Sequence, residues 1–361
     1  MSRPARARVD LAAIRHNYRY AKSLATGARA VAVVKANAYG HGAVAVARAL
    51  AAEADAFGVA CAEEAMELRE SGIGNPILLL EGMFDPRELD LVDRHGLTPV
   101  IHSREQLAWL LDARPSRRLD VWLKMDSGMH RVGLAPADFG DAYARLAGCD
   151  HVAGIVLMSH LARADELECP ATHDQLERFE AHAGAIRAPR SLANSAAIMS
   201  WPQAHGDWVR PGIMLYGATP LPAEHPASAG LRPTMRLESA LISIRELAAG
   251  EPIGYGARFV CDRPTRVGVA AMGYADGYPR HARDGTPVAV NDRPTRIIGR
   301  VSMDMLTLDL SEQLDARVGD PVELWGARIP ANAVAAASDT IAYQLFTGVS
   351  RRVPVTYVDA E

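Results

Sequence analysis

The stretch VAVVKANAYGHG, residues 31–42, decides how this chain is organised. Its β-branched first half is typical of a buried strand, and that strand ends at Lys35. A loop of small residues with Gly40 and Gly42 follows, and an alanine-rich helical pattern comes next. A lysine at the end of a buried strand can be tuned to the neutral, nucleophilic form that imine formation requires. The stretch therefore predicts a strand–loop–helix unit with Lys35 as a reactive amine, although a surface lysine opening a loop has the same local pattern.

About two hundred residues repeat this alternation of strand-like and helix-like segments. Strands are predicted at 30–34, 56–60, 77–80, 97–101, 119–125, 152–159, 191–193 and 208–210. Helical patterns between them include 41–53, 62–70, 86–94, 104–113 and 173–187. Eight consecutive βα units favour a closed (β/α)8 barrel of the TIM type over an open sheet. The fold class is therefore α/β, with the seventh and eighth strands carried by the weakest patterns.

Polar side chains follow the predicted strands where each strand ends. They are Lys35, Lys124, Arg131, His160, Asn194, Ser195 and Arg210, with Gly212 close behind. In such barrels the C-terminal ends of the strands form one rim, and chemistry is carried out there. We therefore expect these residues to converge on one face.

The composition of the sequence and its predicted secondary structure change near residue 220. Residues 219–226, TPLPAEHP, are rich in proline and predict a linker. Short strands with frequent turns are predicted beyond it, at 235–244, 266–272, 295–301, 305–310 and 321–325, with a helix at 331–337. We expect residues 1–226 to form the barrel and residues 227–361 a smaller, mostly β C-terminal domain.

The composition excludes several classes of protein. Hydrophobic residues make up 49% and charged residues 23% of the 361 residues, as in a globular protein with a large core. A net charge of −4 offers no basic surface for nucleic acid, and no apolar run reaches the roughly 20 residues of a membrane helix. Arg3, Arg6 and Arg8 lead into Asp10, which reads as a helix N-cap rather than the start of a signal peptide. Four widely spaced cysteines lack metal-ligand spacing, so we expect reduced thiols, no metal and a cytoplasmic location.

Several blocks support one family resemblance along the whole chain. In the barrel they are LKMDSGMHRVG (123–133), MSHLA (158–162), LANSAA (192–197) and RPGI (210–213). In the β domain they are GYGA (254–257), GYADGY (273–278), VSMD (301–304) and IAY (341–343). With the opening stretch, they resemble the alanine racemases, which are pyridoxal-phosphate enzymes. Ser302 stands where many members have cysteine, and residues 346–350 match only loosely.

The resemblance implies a site for pyridoxal 5'-phosphate, held by Lys35 as an imine that the substrate amine displaces. Arg210 would face the pyridine nitrogen and, as a permanent donor, disfavour its protonation. Taken singly, Ser195 is more typical of a helix cap, and Tyr343 of a half-buried aromatic in the β domain. The cofactor-binding residues that the resemblance implies are Lys35, Tyr39, His160, Asn194, Ser195, Arg210, Gly212, Ile213 and Tyr343.

Racemisation removes a proton from one face of Cα and returns it on the other, so two bases should flank the substrate. The resemblance assigns these roles to Lys35 and Tyr255. A free tyrosine has a pKa of about 10 and needs help to act as a base. His160 is the family's candidate for that help, although by itself it is more typical of a satisfied core histidine.

The resemblance also assigns residues to the substrate. Arg131 would bind its carboxylate, assisted by the backbone amide of Met303, which Asp304 follows. Tyr274 and Tyr343 would narrow the pocket until only a methyl side chain fits.

Lys124 matches a lysine that is carbamylated in some members of the family. A buried carbamate would be an anion able to orient Arg131. An unmodified lysine is an equally open interpretation.

The predicted function is that of an alanine racemase, an isomerase that interconverts L-alanine and D-alanine. It would supply D-alanine for cell-wall peptidoglycan or degrade it. The resemblance implies a head-to-tail homodimer in which each β domain completes the partner's site, with no membrane partner. A decarboxylase of the same architecture, a non-catalytic pyridoxal-phosphate carrier and a broad-specificity racemase are the alternatives; the GYGA block disfavours the carrier, which would lack a base equivalent to Tyr255.

Overall fold

The computed structural model describes residues 3–359, and most of its strands belong to two eight-stranded sheets. The first sheet is parallel throughout, and its strands lie side by side in chain order. They are Arg29–Val33, Ala56–Val59, Ile77–Leu79, Leu97–Ile101, Leu119–Lys124, Val152–Met158, Arg190–Ser191 and Trp208–Val209. These are the eight strands that the alternating pattern predicts, with the seventh displaced toward the N-terminus.

The parallel sheet closes into a barrel. The first strand pairs with the last, with Arg29 opposite Trp208. Beside the short seventh strand, the Asp207 N–H donates to the Arg190 carbonyl at 3.0 Å. These bonds confirm the predicted (β/α)8 architecture, since both sides of the last strand are paired.

Helices cover the outside of the barrel. They are Leu11–Leu24, Ala43–Leu50, Ala62–Glu70, Leu89–His95, Arg104–Asp112, Pro136–Ala147, Ala171–Ala183 and Ser195–Ser200. The first begins as predicted at Asp10, whose side chain accepts the Ala13 N–H at 3.0 Å. The second begins two residues later than the predicted residue 41, because a left-handed turn extends from Lys35 to Gly42. The helix Pro136–Ala147 was not among those predicted.

The second eight-stranded sheet forms the mostly β domain. Its strands are Arg6–Asp10, Met235–Leu247, Thr265–Ala270, Pro287–Val290, Arg293–Arg296, Leu306–Asp309, Pro321–Trp325 and Val355–Val358. A small hairpin, Pro252–Ile253 with Phe259–Val260, and the helices Ala331–Ala337 and Ala342–Gly348 complete it. Within residues 3–359, none of the helices is long and apolar enough to cross a membrane.

The N-terminal strand Arg6–Asp10 belongs to this second sheet, although the predicted barrel range includes it. It runs antiparallel to Met235–Leu247 and parallel to Val355–Val358. Alternate residues Ala7 and Val9 are fully buried, while Arg6 and Arg8 point outward. The first and the last strand of the described chain therefore both belong to the β domain.

His41 connects the barrel to the second domain. Its ring is fully buried, with Nδ1 3.0 Å from the Tyr39 carbonyl and Nε2 2.9 Å from the Thr234 hydroxyl. The ring packs 4.6 Å from the Tyr216 ring and edge-on to Phe346 at 5.0 Å. Burial lowers the pKa of His41 to about 4, so the ring is neutral at neutral pH.

This burial predicts a loss of stability in acid. The pKa of His41 is about 4 in the folded protein, and an exposed histidine in the unfolded chain has its ordinary pKa of 6.5. Between these two pH values only the unfolded chain binds the proton. The contribution of the neutral His41 to the free energy of unfolding is complete above pH 6.5. It is lost as pH falls through the folded pKa, by about 3 kcal/mol in total.

We expect His41→Gln to lose less stability than wild type between pH 7 and about pH 4, measured as urea midpoints. The exposed His182→Gln variant is the matched control and should follow wild type; equal acid losses for His41→Gln and wild type would contradict the assignment.

Candidate active site

A cavity of about 1020 Å³ lies at the C-terminal rim of the barrel. Most of the residues predicted for the site line it, and they come from the ends of five barrel strands and from the helix Ala342–Gly348. They are Lys35, Tyr39, Lys124, Arg131, His160, Asn194, Ser195, Arg210, Gly212, Ile213 and Tyr343. The fold thus brings together residues spread over three hundred positions of the chain.

Lys35 opens a left-handed turn that the sequence pattern did not predict. Residues 36–39 all have φ between 51° and 55°, a region that costs about 1–2 kcal/mol per non-glycine residue. Glu64 supports the turn, because its carboxylate accepts the Ala36 N–H at 2.7 Å and the Ala60 N–H at 2.8 Å. Such strain persists only where the surroundings maintain it, and it is commonly found at functional sites.

Arg210 is buried and held by carbonyl and hydroxyl oxygens. Its Nη1 donates to the Ser191 carbonyl at 2.8 Å and to the Ser191 hydroxyl at 2.6 Å. Its Nη2 donates to the Ser159 carbonyl at 2.8 Å and the Leu192 carbonyl at 3.1 Å. Burial lowers the pKa of Arg210 to about 9, which leaves the guanidinium charged at neutral pH.

His160 lies against this guanidinium, with its Nδ1 3.4 Å from Arg210 Nη2. Burial, reinforced by the Arg210 charge, holds the pKa of His160 well below its usual range. The imidazole is therefore neutral in the wall of the cavity.

Lys124 adds a third buried basic group. It is 4% exposed, and burial together with the nearby Arg210 and Arg131 charges lowers its pKa to about 8. A lysine with this pKa carries an appreciable neutral, nucleophilic fraction at neutral pH. With Lys35, these cations make the cavity suited to an anionic ligand.

A glycine makes room at one end of the cavity. A Cβ on Gly212 would lie 2.7 Å from the Tyr39 hydroxyl and 3.8 Å from Ser195 Oγ. Ser195 Oγ accepts the Gly212 N–H at 2.9 Å, and the Tyr343 ring lies 5.9 Å from that of Tyr39. Burial raises the pKa of Tyr39 to about 12 and also raises that of Tyr343, so both hydroxyls remain neutral donors. Hydroxyl groups around an open backbone form a cradle for an anion such as a phosphate ester.

Asn194 prepares this cradle. Its Oδ1 accepts the Ala197 N–H at 3.1 Å and its amide donates to the Leu161 carbonyl at 3.0 Å. The residue is therefore the N-cap of the helix Ser195–Ser200 and orients Ser195 at the start of that helix.

Four predicted site residues lie elsewhere, on loops of the β domain. Tyr255 is 68% exposed and Met303 is 52% exposed. Tyr274 and Asp304 lie beside Met303, because the Tyr274 loop is hydrogen-bonded to the loop that contains Met303 and Asp304. None of the four lines the cavity of its own chain.

The cavity also contains residues that the sequence analysis did not single out. They are chiefly apolar or aromatic and follow the third and fourth strands: Leu80, Met83, Phe84, His102 and Trp109. The rule that barrel chemistry follows every strand end could have identified them. Glu64 carried no such signal, since its role depends on a backbone turn.

Comparisons with known proteins agree along the full length of the chain. Residues 9–220 match the family model of the alanine racemase N-terminal domain, and residues 234–357 match that of the C-terminal domain. The chain is 57% identical to the catabolic alanine racemase of Pseudomonas aeruginosa, covering 99% of this chain and 100% of that protein. It is 58% identical to the alanine racemase of Pseudomonas taetrolens, covering 99% of each.

Solved structures show the same likeness. The biosynthetic alanine racemase of Pseudomonas aeruginosa superimposes with a TM-score of 0.96 at 52% identity, covering 99% of both chains. The alanine racemase of Acinetobacter baumannii gives a TM-score of 0.94 at 36% identity, covering 99% of this chain and 100% of that one.

Proposed function

The chain belongs to the alanine racemase family, an isomerase family whose reaction interconverts L-alanine and D-alanine, and we propose that the rim cavity is where this chain carries it out. The observation that carries the proposal is the convergence of Lys35, Arg131 and Arg210 on one cavity. Family membership implies the use of pyridoxal phosphate.

The residues present fit that cofactor. The cradle at Gly212, with the hydroxyls of Tyr39 and Ser195, suits a phosphate ester. Lys35 and Arg210 line the same cavity. The Lys35 amine would bond to the aldehyde carbon of the cofactor, and the Arg210 guanidinium would face its ring nitrogen. When bound, pyridoxal phosphate supplies an electron-withdrawing ring that acidifies the Cα–H bond of an attached amino acid.

Two bases on opposite faces of Cα then exchange the proton. We assign one to the Lys35 amine and the other to the Tyr255 hydroxyl. Arg131 binds the substrate carboxylate and so fixes which bond points at each base. Because Arg210 can only donate to His160 Nδ1, the neutral imidazole carries its proton on Nε2. That N–H can donate to the oxygen of a tyrosine brought to the rim and so favour its deprotonated, basic form.

Arg210 would limit how strongly a bound pyridoxal ring withdraws electrons. Its guanidinium is an obligate donor and is fixed by four oxygen acceptors, so it does not hand its own proton to a ring nitrogen. With pyridoxal phosphate bound, Arg210 would therefore leave the ring nitrogen unprotonated, which would make the ring a weaker electron acceptor and disfavour side reactions.

Tyr255 is exposed on its own chain, whereas the mechanism needs it at a rim cavity. We therefore propose a head-to-tail homodimer in which the β domain of one chain supplies Tyr255, Met303 and Tyr274 to the barrel of the other. A two-fold dimer then contains two equivalent composite sites.

The remaining proposals concern the chain as a whole. The family-model ranges end at residue 220 and resume at 234, which supports a division at 226/227 within the proline-rich linker. A cytoplasmic location and the absence of nucleic-acid and membrane partners stay predictions from composition.

The first prediction concerns the cofactor lysine. The chain has three lysines, Lys22, Lys35 and Lys124, which makes the assignment simple to test. Purified protein should be yellow, and borohydride should bleach the band while fixing the cofactor's mass to Lys35. Lys35→Ala should lack the band, and the control Lys22→Arg should retain it; an adduct on Lys22 or Lys124 would exclude Lys35.

A second prediction separates the two bases. Tyr255→Phe should slow solvent deuterium incorporation into one enantiomer of alanine by about 10²- to 10⁴-fold and leave exchange from the other partly intact. Tyr143→Phe, a half-buried tyrosine on an outer helix, is the control and should behave as wild type. If both enantiomers lost exchange equally, Tyr255 would only shape the pocket.

A third prediction concerns the shared site. Lys35→Ala and Tyr255→Phe proteins, each nearly inactive, are mixed, dissociated and reassembled. Half of the dimers are then mixed, and one of the two sites in each inherits both wild-type residues. Activity should recover to about a quarter of wild type if reassortment is random and the sites are independent. Background activity despite mixed dimers, verified by mass spectrometry, would mean that both residues act from one chain.

A further inference from the structure

A buried carboxylate joins the N-terminal segment to the loop that carries Tyr274. The Asp276 side chain is fully buried, and Arg3 donates to both of its oxygens, each at 2.6 Å. Asp276 Oδ2 also accepts the Gly273 N–H at 2.9 Å, which closes the turn that contains Tyr274. A bidentate pair of this kind fixes orientation as well as charge.

A second arginine extends the network to the neighbouring loop. Arg352 Nε lies 3.5 Å from Asp276 Oδ1, and its Nη2 donates to Asp304 Oδ1 at 2.6 Å. Arg3 also reaches the Asp304 backbone carbonyl at 3.3 Å. Two arginines from opposite ends of the chain thus bridge two aspartates, one in each loop, and the four charges balance.

The two loops are packed together as one unit. The Tyr274 N–H donates to the Ser302 carbonyl and the Ala275 N–H to the Met303 carbonyl, both at 3.0 Å. A Cβ on Gly273 would lie 2.3 Å from the Met303 carbonyl oxygen, so the backbones are in close contact. A shift of the Tyr274 turn therefore moves Met303 as well.

This unit faces outward. Met303 is 52% exposed and Tyr274 is 37% exposed, while the aspartate that anchors them is fully buried. The network therefore lies behind an outward-facing surface and sets where the Tyr274 ring and the Met303 backbone are presented.

We propose that Arg3 is a positioning residue for substrate selection: through Asp276 and Asp304 it fixes Tyr274 and Met303, and so limits the side chain that the partner's cavity accepts. The proposal rests on the shared site proposed above. Arg3 does not line the cavity of its own chain, and its contacts with the two loops run through Asp276 and Asp304. Its guanidinium fork suits the role, because a lysine in its place could make only a point contact with the carboxylate.

Selectivity is the measurement that tests this role. Arg3→Ala should lower the ratio of kcat/KM for L-alanine to that for L-serine by about tenfold, because a pocket loosened by one small group loses discrimination of that order. Arg3→Lys should restore part of the ratio. The matched control is Arg6→Ala, which removes an ion pair with Glu238 from the same N-terminal segment without touching the Tyr274 loop. It should leave the ratio unchanged.

Folding is checked separately from selectivity. Arg3 has a side chain about one-third exposed, and Arg352 remains beside Asp276 when Arg3 is replaced. We therefore expect Arg3→Ala to retain the dimer and the visible cofactor band. If Arg3→Ala does not fold, Arg3→Lys replaces it in the homodimer and in the mixed dimers below.

Mixed dimers purified through two different tags show in which subunit Arg3 acts. In the first mixed dimer, one chain carries both Lys35→Ala and Arg3→Ala and its partner is wild type. The active barrel, the one that retains Lys35, then receives the Tyr274 loop of the chain that lacks Arg3, so selectivity should fall. In the second mixed dimer, Lys35→Ala is on one chain and Arg3→Ala is on the other. The active barrel then receives the Tyr274 loop of a chain that retains Arg3, so selectivity should match wild type.

The possible failures are distinguishable. The reverse pattern, with loss only when the changes are on opposite chains, would retain Arg3 as a positioning residue and overturn the shared site. Unchanged selectivity in both mixed dimers and in the Arg3→Ala homodimer would overturn the proposal while leaving the proposed function intact. An equal loss in Arg6→Ala would also overturn it, since the effect would then be general loosening of the N-terminal segment.

Discussion

Closure of the barrel is the constraint on which the cavity depends. Pairing of the first strand with the eighth places the end of one beside the end of the other, and the Val33 N–H donates to the Pro211 carbonyl at 3.0 Å. That bond puts Lys35 across from Arg210 and Gly212, although they lie far apart in sequence. An open sheet with the same βα units would leave these groups at opposite edges.

Closure also creates the electrostatic character of the cavity. Basic groups that would repel one another only weakly in water are brought into a region from which water is largely removed. Burial lowers the pKa values of Lys124, Arg210 and His160, and for Lys124 and His160 the neighbouring positive charges lower the pKa further. Hydrogen bonds to oxygens stabilise Arg210 in its charged form, whereas Lys124 and His160 shift toward neutrality. The same barrel rim therefore holds both fixed cations and neutral groups able to exchange protons.

The two domains are linked at points that bear on the cavity. His41 bonds to Tyr39 in the Lys35 turn and to Thr234 at the start of the β domain, while Tyr343 enters the cavity from the helix Ala342–Gly348. The Arg3–Asp276 pair ties the N-terminal segment to the β domain from another side. The position of the β domain is thus determined by buried polar contacts as well as by apolar packing.

Much of this organisation could be predicted from the sequence. Periodicity predicts the eight barrel strands and most of the helices because burial on one face, or on both, leaves a repeating apolar pattern. The sequence motifs show which polar residues follow those strands. Because the C-terminal ends of the strands form one rim in a closed barrel, these residues are predicted to meet there. The N-terminal strand Arg6–Asp10 carried the same alternation in five residues, but its partners are distant in sequence, so its membership of the second sheet could not be read locally.

The remainder depends on contacts between segments far apart in the chain. The left-handed turn after Lys35 contradicts the local preference of Ala36 and Ala38, and tertiary bonds such as those from Glu64 maintain it. Exposure of Tyr255 and burial of Asp276 are likewise properties of the packed chain. The sequence by itself determined the fold class, the family and the residues available for chemistry, because these depend on local pattern and motif. Only the tertiary structure decided which groups share a cavity, how their protonation shifts and which loops face outward, because burial and distance exist only once the chain has folded.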